Sequence, residues 1–240
     1  MPKVIGICRY CHEEKKLCDA HIIPRSFLGK RRFLKLSTEN RFIDRSPKGP
    51  YDRGILCADC DRKIGVYDGY AKELLLARLS HFSLRNGLLC IPQKEFDYLQ
   101  LKKFFISVLW RASISKHEAF SIVSLGEYEK IALDILHERR EVTDNLFDLL
   151  LFKDAPSLNY KNTLGVFPLM LAGKEAYSFR FSHFQATIIL DSALANWSPG
   201  VATNFLRACF LRHGNDFLIP ELFDDLTGMK ELLEKYVKTL

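Results

Sequence analysis

Apolar and polar positions follow two regimes along the chain, changing near residue 85. Before it, apolar residues come in short runs. Residues 17–23 and 53–56 each predict a short strand, and Pro24 ends the first because it cannot donate to a ladder. Between them, residues 29–50 are basic and rich in turn formers, and Ser46-Pro47-Lys48-Gly49-Pro50 predicts a surface loop. From Asp61, apolar residues recur at Ile64, Tyr67, Tyr70, Ala71, Leu74 and Leu75. The i, i+3, i+4 spacing predicts a helix capped by Asp59 or Cys60, with Gly65 and Gly69 counting against it.

Past the change, residues 96–113 form a helical pattern apolar on most sides, with Trp110 as a core anchor. A second helix is predicted over 127–137, after Gly126. Residues 147–153, 165–172 and 176–190 read as β-type. In the last run Tyr177, Phe179, Phe181 and His183 alternate with Ser178, Arg180, Ser182 and Phe184. Two further helices are predicted at about 199–213 and 220–238. The fold class is therefore α+β: a small head over residues 1–80 and a larger mixed helical and β domain over 81–240, of unassigned role.

Cysteine spacing gives the head its staple. Cys8 and Cys11 are separated by two residues, as are Cys57 and Cys60. Two such pairs close a tetrahedral site for one structural Zn²⁺. The remaining cysteines, Cys18, Cys90 and Cys209, sit among apolar neighbours and read as small buried hydrophobes.

At 240 residues and 48% hydrophobic content the chain can bury a sizeable core. No apolar stretch reaches the roughly 18–20 residues that cross a bilayer, and Met1-Pro2-Lys3-Val4-Ile5-Gly6 is unlike an export signal. These features place the protein in the reducing cytoplasm, without a membrane partner, where paired cysteines hold metal more often than they form disulfides. The net charge of +6 is uneven: residues 1–63 carry 15 basic and 8 acidic side chains, so the rest is slightly acidic. A basic head suits a polyanion, with Arg25, Lys30, Arg31 and Arg32 as candidate phosphate contacts. The alternative is a solvated basic face without a partner.

Within the head, Asp19-Ala20-His21-Ile22-Ile23-Pro24 puts one imidazole at the end of a predicted strand. A neutral imidazole acting as general base, with one divalent cation, can hydrolyse a phosphodiester. Asp61 begins the predicted helix beside the second cysteine pair, and Asp52 lies on the incoming strand. The plainer alternative for His21 is a core histidine among Ile-Ile-Pro neighbours.

Cys-x2-Cys, then Ala20-His21-Ile22-Ile23-Pro24, then Leu56-Cys57-x2-Cys60-Asp61, resembles the zinc-knuckle branch of bacterial HNH endonucleases over about residues 8–72. The resemblance implies a treble-clef-like ββα-metal head with His21 as general base. The place of the family's asparagine falls on Asp52, with Asn40 in the basic loop as a substitute, and that of its helix ligand falls on Asp61. The family often has a carboxylate just before the base, where this chain has Ala20. With two aspartates in the pattern, Mg²⁺ or Mn²⁺ is the implied catalytic ion. The segment around Trp110-Arg111-Ala112-Ser113 resembles the region C-terminal to such heads in bacterial HNH proteins, some of them in phage defence.

The expectation is a DNA endonuclease, with RNA as a second substrate class and a protein partner or homo-oligomer left open. The alternative is a zinc-dependent nucleic-acid or protein-binding module whose HNH head has lost catalysis.

Overall fold

The computed structural model describes residues 4–28, 35–38, 41–43, 48–78, 84–85, 88–92, 97–143, 146–154, 163–171, 173–181, 184–191 and 216–222. The head begins with an antiparallel hairpin, β1 (Ile5–Ile7) and β2 (Glu14–Lys16), whose turn carries Cys8 and Cys11. A two-residue strand, β3 (Ala20–His21), pairs antiparallel with β6 (Tyr51–Asp52). Helix α1 (Ala58–Lys72) comes next and runs on as a wider π turn, Glu73–Arg78.

Three local expectations change. The predicted strand over 17–23 shrinks to β3 plus an isolated bridge from Leu17 to Cys57. The incoming strand is β6 rather than residues 53–56, of which 53–55 form bends because the Asp52 carboxylate captures the Gly54 amide at 2.7 Å. Helix α1 starts three residues before Asp61. Cys57 is its N-cap residue, with no side-chain capping bond, and its carbonyl accepts the first helical bond from the Asp61 amide at 2.9 Å. Gly65 and Gly69 do not break the helix, since Ile64, Ala71, Leu74 and Leu75 bury its inner face.

Among the described residues nine strands join in one mixed sheet, ordered β5-β4-β10-β11-β12-β9-β13-β8-β7. Its members are β4 (Lys35–Thr38), β5 (Arg41–Ile43), β7 (Leu84–Arg85), β8 (Leu88–Pro92), β9 (Leu146–Asp154), β10 (Thr163–Leu171), β11 (Lys174–Phe181), β12 (Phe184–Asp191) and β13 (Asp216–Leu222). The β-type runs of the sequence become β9 to β12, the last run dividing into the hairpin β11–β12. The basic stretch between residues 29 and 50 is not all loop. Its hairpin β4–β5 pairs in parallel with β10, so segments on both sides of residue 80 share the sheet. The helix predicted to begin at residue 220 is overturned at its start, because Asp216–Leu222 is strand β13. Pro220 fits there because it lies opposite Leu88, before pairing with β9 begins at Glu221. Residues 199–213 and 223–238 lie outside the described residues.

Helix α2 (Tyr98–Ile114) joins head to sheet. Asp97 caps it by accepting from the Gln100 amide at 3.0 Å. Its adjacent rings serve opposite neighbours: Phe104 stacks on Phe27 of the head at 5.3 Å, and Phe105 meets Phe179 of β11 edge-on at 5.4 Å. Burial on most sides explains the broad apolar pattern, with every residue from Leu101 to Ala112 except Lys103 buried. Helix α3 (Tyr128–Leu136) packs alongside it. No helix among the described residues is long and apolar enough to cross a membrane.

Candidate zinc and imidazole site

The β1–β2 turn is tight. Cys8 donates its amide to the Glu13 carbonyl at 3.0 Å, and His12 takes a left-handed φ of 59° to close it. Arg9 donates to the Ile55 carbonyl and Cys18 to the Leu56 carbonyl, which brings the turn against the start of α1. As a result the Sγ atoms of Cys8, Cys11, Cys57 and Cys60 all lie within 4.8 Å of one another. Tetrahedral thiolates around Zn²⁺ at about 2.3 Å stand roughly 3.8 Å apart, so the set fits a closed structural zinc site. Burial pushes the Cys8 thiol up, but amides of Cys11, Cys57 and Tyr10 stabilise its thiolate, and the net value falls to about 7. The Cys57 amide lies 3.3 Å from Cys8 Sγ. Burial raises the Cys11 and Cys60 thiols instead. Cys8, Cys11, Cys18, Cys57 and Cys60 are free thiols, and Cys18 is part-buried with its thiol pushed up to about 11, chiefly by burial.

The cysteine turn is anchored outside the head as well. Between Cys8 and Cys11, the buried Tyr10 donates its hydroxyl to the Leu136 carbonyl at 2.8 Å and accepts at its own carbonyl from His137 Nε2 at 2.8 Å. Its ring lies 4.0 Å from the His137 ring and meets Trp110 edge-on at 6.0 Å. Burial is the main reason the Tyr10 hydroxyl is pushed up to about 12. Trp110 is thus the core anchor expected of it.

His21 closes β3. Its ring Nε2 lies 3.1 Å from the Lys48 carbonyl. A carbonyl only accepts, so Nε2 donates, and in the neutral ring it is Nδ1 that keeps the lone pair. Its backbone carbonyl accepts from Arg111 Nη1 at 2.8 Å. Tyr51 flanks the ring at 6.2 Å between centroids, and Arg53, bound to Asp19 at 2.7 Å, lies over the Tyr51 ring at 5.6 Å.

The two aspartates occupy different settings. Asp61, in the first turn of α1, is raised mainly by burial and also by Asp68, against the pull of Arg111 and His21. Asp52 accepts from the Gly54 amide at 2.7 Å, the Ser115 hydroxyl at 2.8 Å and the Lys116 amide at 2.8 Å. Burial pushes its carboxyl up, but these bonds outweigh it and hold the group below the ordinary range. Asp52 therefore ties β6 to the end of α2, with little of its lone-pair capacity left.

His21, Asp52 and Asp61 do not converge as a ready-made metal site: among the described residues the four cysteines are the one cluster of three or more such ligands. Arg25 is exposed in a short 3₁₀ turn, Arg25–Leu28. Lys30, Arg31, Arg32 and Asn40 lie outside the described residues.

Sequence reasoning missed Arg111 and Asp68. Arg111 is 1% exposed, and its Nη2 and Nη1 reach Asp68 at 2.7 and 2.9 Å. The signal was present: an arginine within an apolar-all-round helix has to find a buried partner. In comparisons with known proteins, no family model, no curated protein and no solved structure matches this chain.

Proposed function

We propose that the head hydrolyses phosphodiester bonds of nucleic acid, DNA in preference to RNA, with His21 as general base. The observation that carries this reading is the bond from His21 Nε2 to the Lys48 carbonyl. In the neutral ring it leaves Nδ1 with a lone pair at the end of a strand, and Asp61 of α1 lies within electrostatic reach of the same imidazole. In the proposed step Nδ1 takes a proton from water as that oxygen attacks phosphorus, and the 3′ oxygen leaves with the bonding pair and is protonated by solvent to a 3′ hydroxyl. A Mg²⁺ or Mn²⁺ ion would neutralise charge on the phosphate. Such ions are held through one or two carboxylates, waters and substrate phosphates, a role open to Asp61. The four-cysteine cluster, its shell closed by thiolates, holds the fold and takes no part in the chemistry. The basic bias of residues 1–63 supports a polyanionic substrate.

One observation favours a second reading, a zinc-dependent binding module without catalysis. Asp52, which the HNH resemblance would place at the site, is taken up by Gly54, Ser115 and Lys116. Plasmid nicking with Mg²⁺ or Mn²⁺, with and without EDTA and with bound zinc measured before and after, separates the two. Nuclease function requires EDTA-sensitive nicking and a loss on the order of 10²–10⁴-fold in His21→Ala. Zinc-loaded protein that binds nucleic acid but nicks with neither ion would favour the binding module.

A further inference from the structure

We infer that Arg111 and Asp68 form the positioning pair for His21, an inference that rests on His21 being the general base. The β3–β6 ladder has only two residue pairs, Ala20 with Asp52 and His21 with Tyr51. So short a ladder cannot by itself fix the peptide plane at its last residue. That plane is held at both edges: its N–H, from Ile22, donates to the Pro50 carbonyl at 3.0 Å, and its carbonyl is held from α2, where Arg111 Nη1 donates to the His21 oxygen at 2.8 Å.

The guanidinium has no freedom of its own. Nη1 also reaches Asp68 Oδ2 at 2.9 Å, Nη2 reaches Asp68 Oδ1 at 2.7 Å and Ser107 Oγ at 3.3 Å, and Nε reaches the Ser107 carbonyl at 3.2 Å. These contacts use all five guanidinium N–H donors. Asp68 belongs to α1, the helix that also carries Asp61, and its side chain is 18% exposed against 1% for Arg111. One buried cation therefore ties the peptide of the proposed base to the helix bearing the proposed metal ligand. It does so from α2, outside the first 80 residues.

Lysine cannot replace this fork, because one ammonium cannot span both Asp68 oxygens and the His21 carbonyl with fixed geometry. Removing either partner alone strands a buried charge and threatens the fold. Exchanging both for apolar side chains of similar volume is tolerated far better. The decisive variant is thus Arg111→Met combined with Asp68→Leu in the full chain, with Arg111→Lys alongside.

Two readouts are needed on zinc-loaded protein: the His21 tautomer, from long-range proton–nitrogen NMR, and kcat separated from KM for plasmid nicking. Positioning predicts a folded double variant in which the single Nε2–H tautomer gives way to a mixture. Its kcat should fall on the order of 10²-fold at unchanged KM, the scale of an ångström-level misplacement. Arg111→Lys should lie between it and wild type.

A folded double variant with wild-type tautomer and kcat would overturn the inference and leave the pair a structural tie. Should the double variant fail to fold, Arg111→Lys decides by the same NMR readout, an unchanged tautomer refuting the inference. Wild-type protein that does not nick would refute the nuclease reading instead, while the tautomer measurement still decides whether the pair positions His21.

Discussion

Asp52 is the sharpest place to separate a structural carboxylate from a ligand. Its three accepted bonds come from the Gly54 amide, the Ser115 hydroxyl and the Lys116 amide, at 2.7, 2.8 and 2.8 Å. A hydrogen bond to a charged acceptor contributes about 1.5–3 kcal/mol when buried. Asp52 is part-buried, so water can replace some of each bond, and about 1 kcal/mol apiece is the appropriate scale. Asp52→Ala should then cost about 3 kcal/mol. Asp52→Asn keeps one oxygen and can still serve Ser115 and Lys116, so it should cost only about 1 kcal/mol. For a chain of this length 1 kcal/mol moves Tm by roughly 2–4 °C, giving drops of about 6–12 °C and 2–4 °C respectively. The carboxyl titrates below its unfolded value, so its contribution is complete above the unfolded pKa of about 4 and disappears as pH falls through the lower folded value. Calorimetry on zinc-loaded protein at pH 7 therefore measures all of it. An Asp52→Ala variant that melts with wild type but binds Mn²⁺ at least tenfold more weakly would refute this account and make Asp52 a metal ligand.

Two further outcomes are expected. Freshly purified protein should contain one zinc per chain, and Cys57→Ser should lose it together with the protection of the head amides from hydrogen exchange, since metal affinity is folding energy in so small a unit. Metal analysis without zinc would defeat that assignment. For pH, His117 accepts the Ala119 amide at Nδ1 at 3.2 Å, and burial lowers its pKa despite the opposing charges of Asp52 and Glu118. The unfolded chain then binds the proton more readily, so this stability is present above about pH 6.5 and is lost as pH falls toward the lower folded value. Replacing His117 by Asn, which also caps, should flatten the change in Tm between pH 7.5 and 5.5; an unchanged slope would place the titration elsewhere.

What the sequence determined by itself was local or carried by residue spacing. The two cysteine pairs pointed to the four-sulfur cluster now seen within 4.8 Å, because a short turn sends both sulfurs the same way. The helical apolar pattern located α2 to within two residues, the helix expected after Gly126 is α3 to within one, and the aromatic alternation located β11. Tertiary structure decided whatever depends on partners distant in sequence. The segments Lys35–Thr38 and Arg41–Ile43 fall in a basic stretch that reads as loop, but β10 supplies the edge on which β4 and β5 become strand. Asp216–Leu222 is strand because β8 and β9 lie on either side of it. Asp52 and Asp61 look alike in the sequence. One meets three hydrogen-bond donors and the other a part-buried place beside His21 and Arg111, so folding moves their carboxyls in opposite directions. Arg111, which links β3, α1 and α2 through a single cation, has no local signature beyond a charge in an apolar helix. Only the packing of those three elements assigns it His21 and Asp68 as partners.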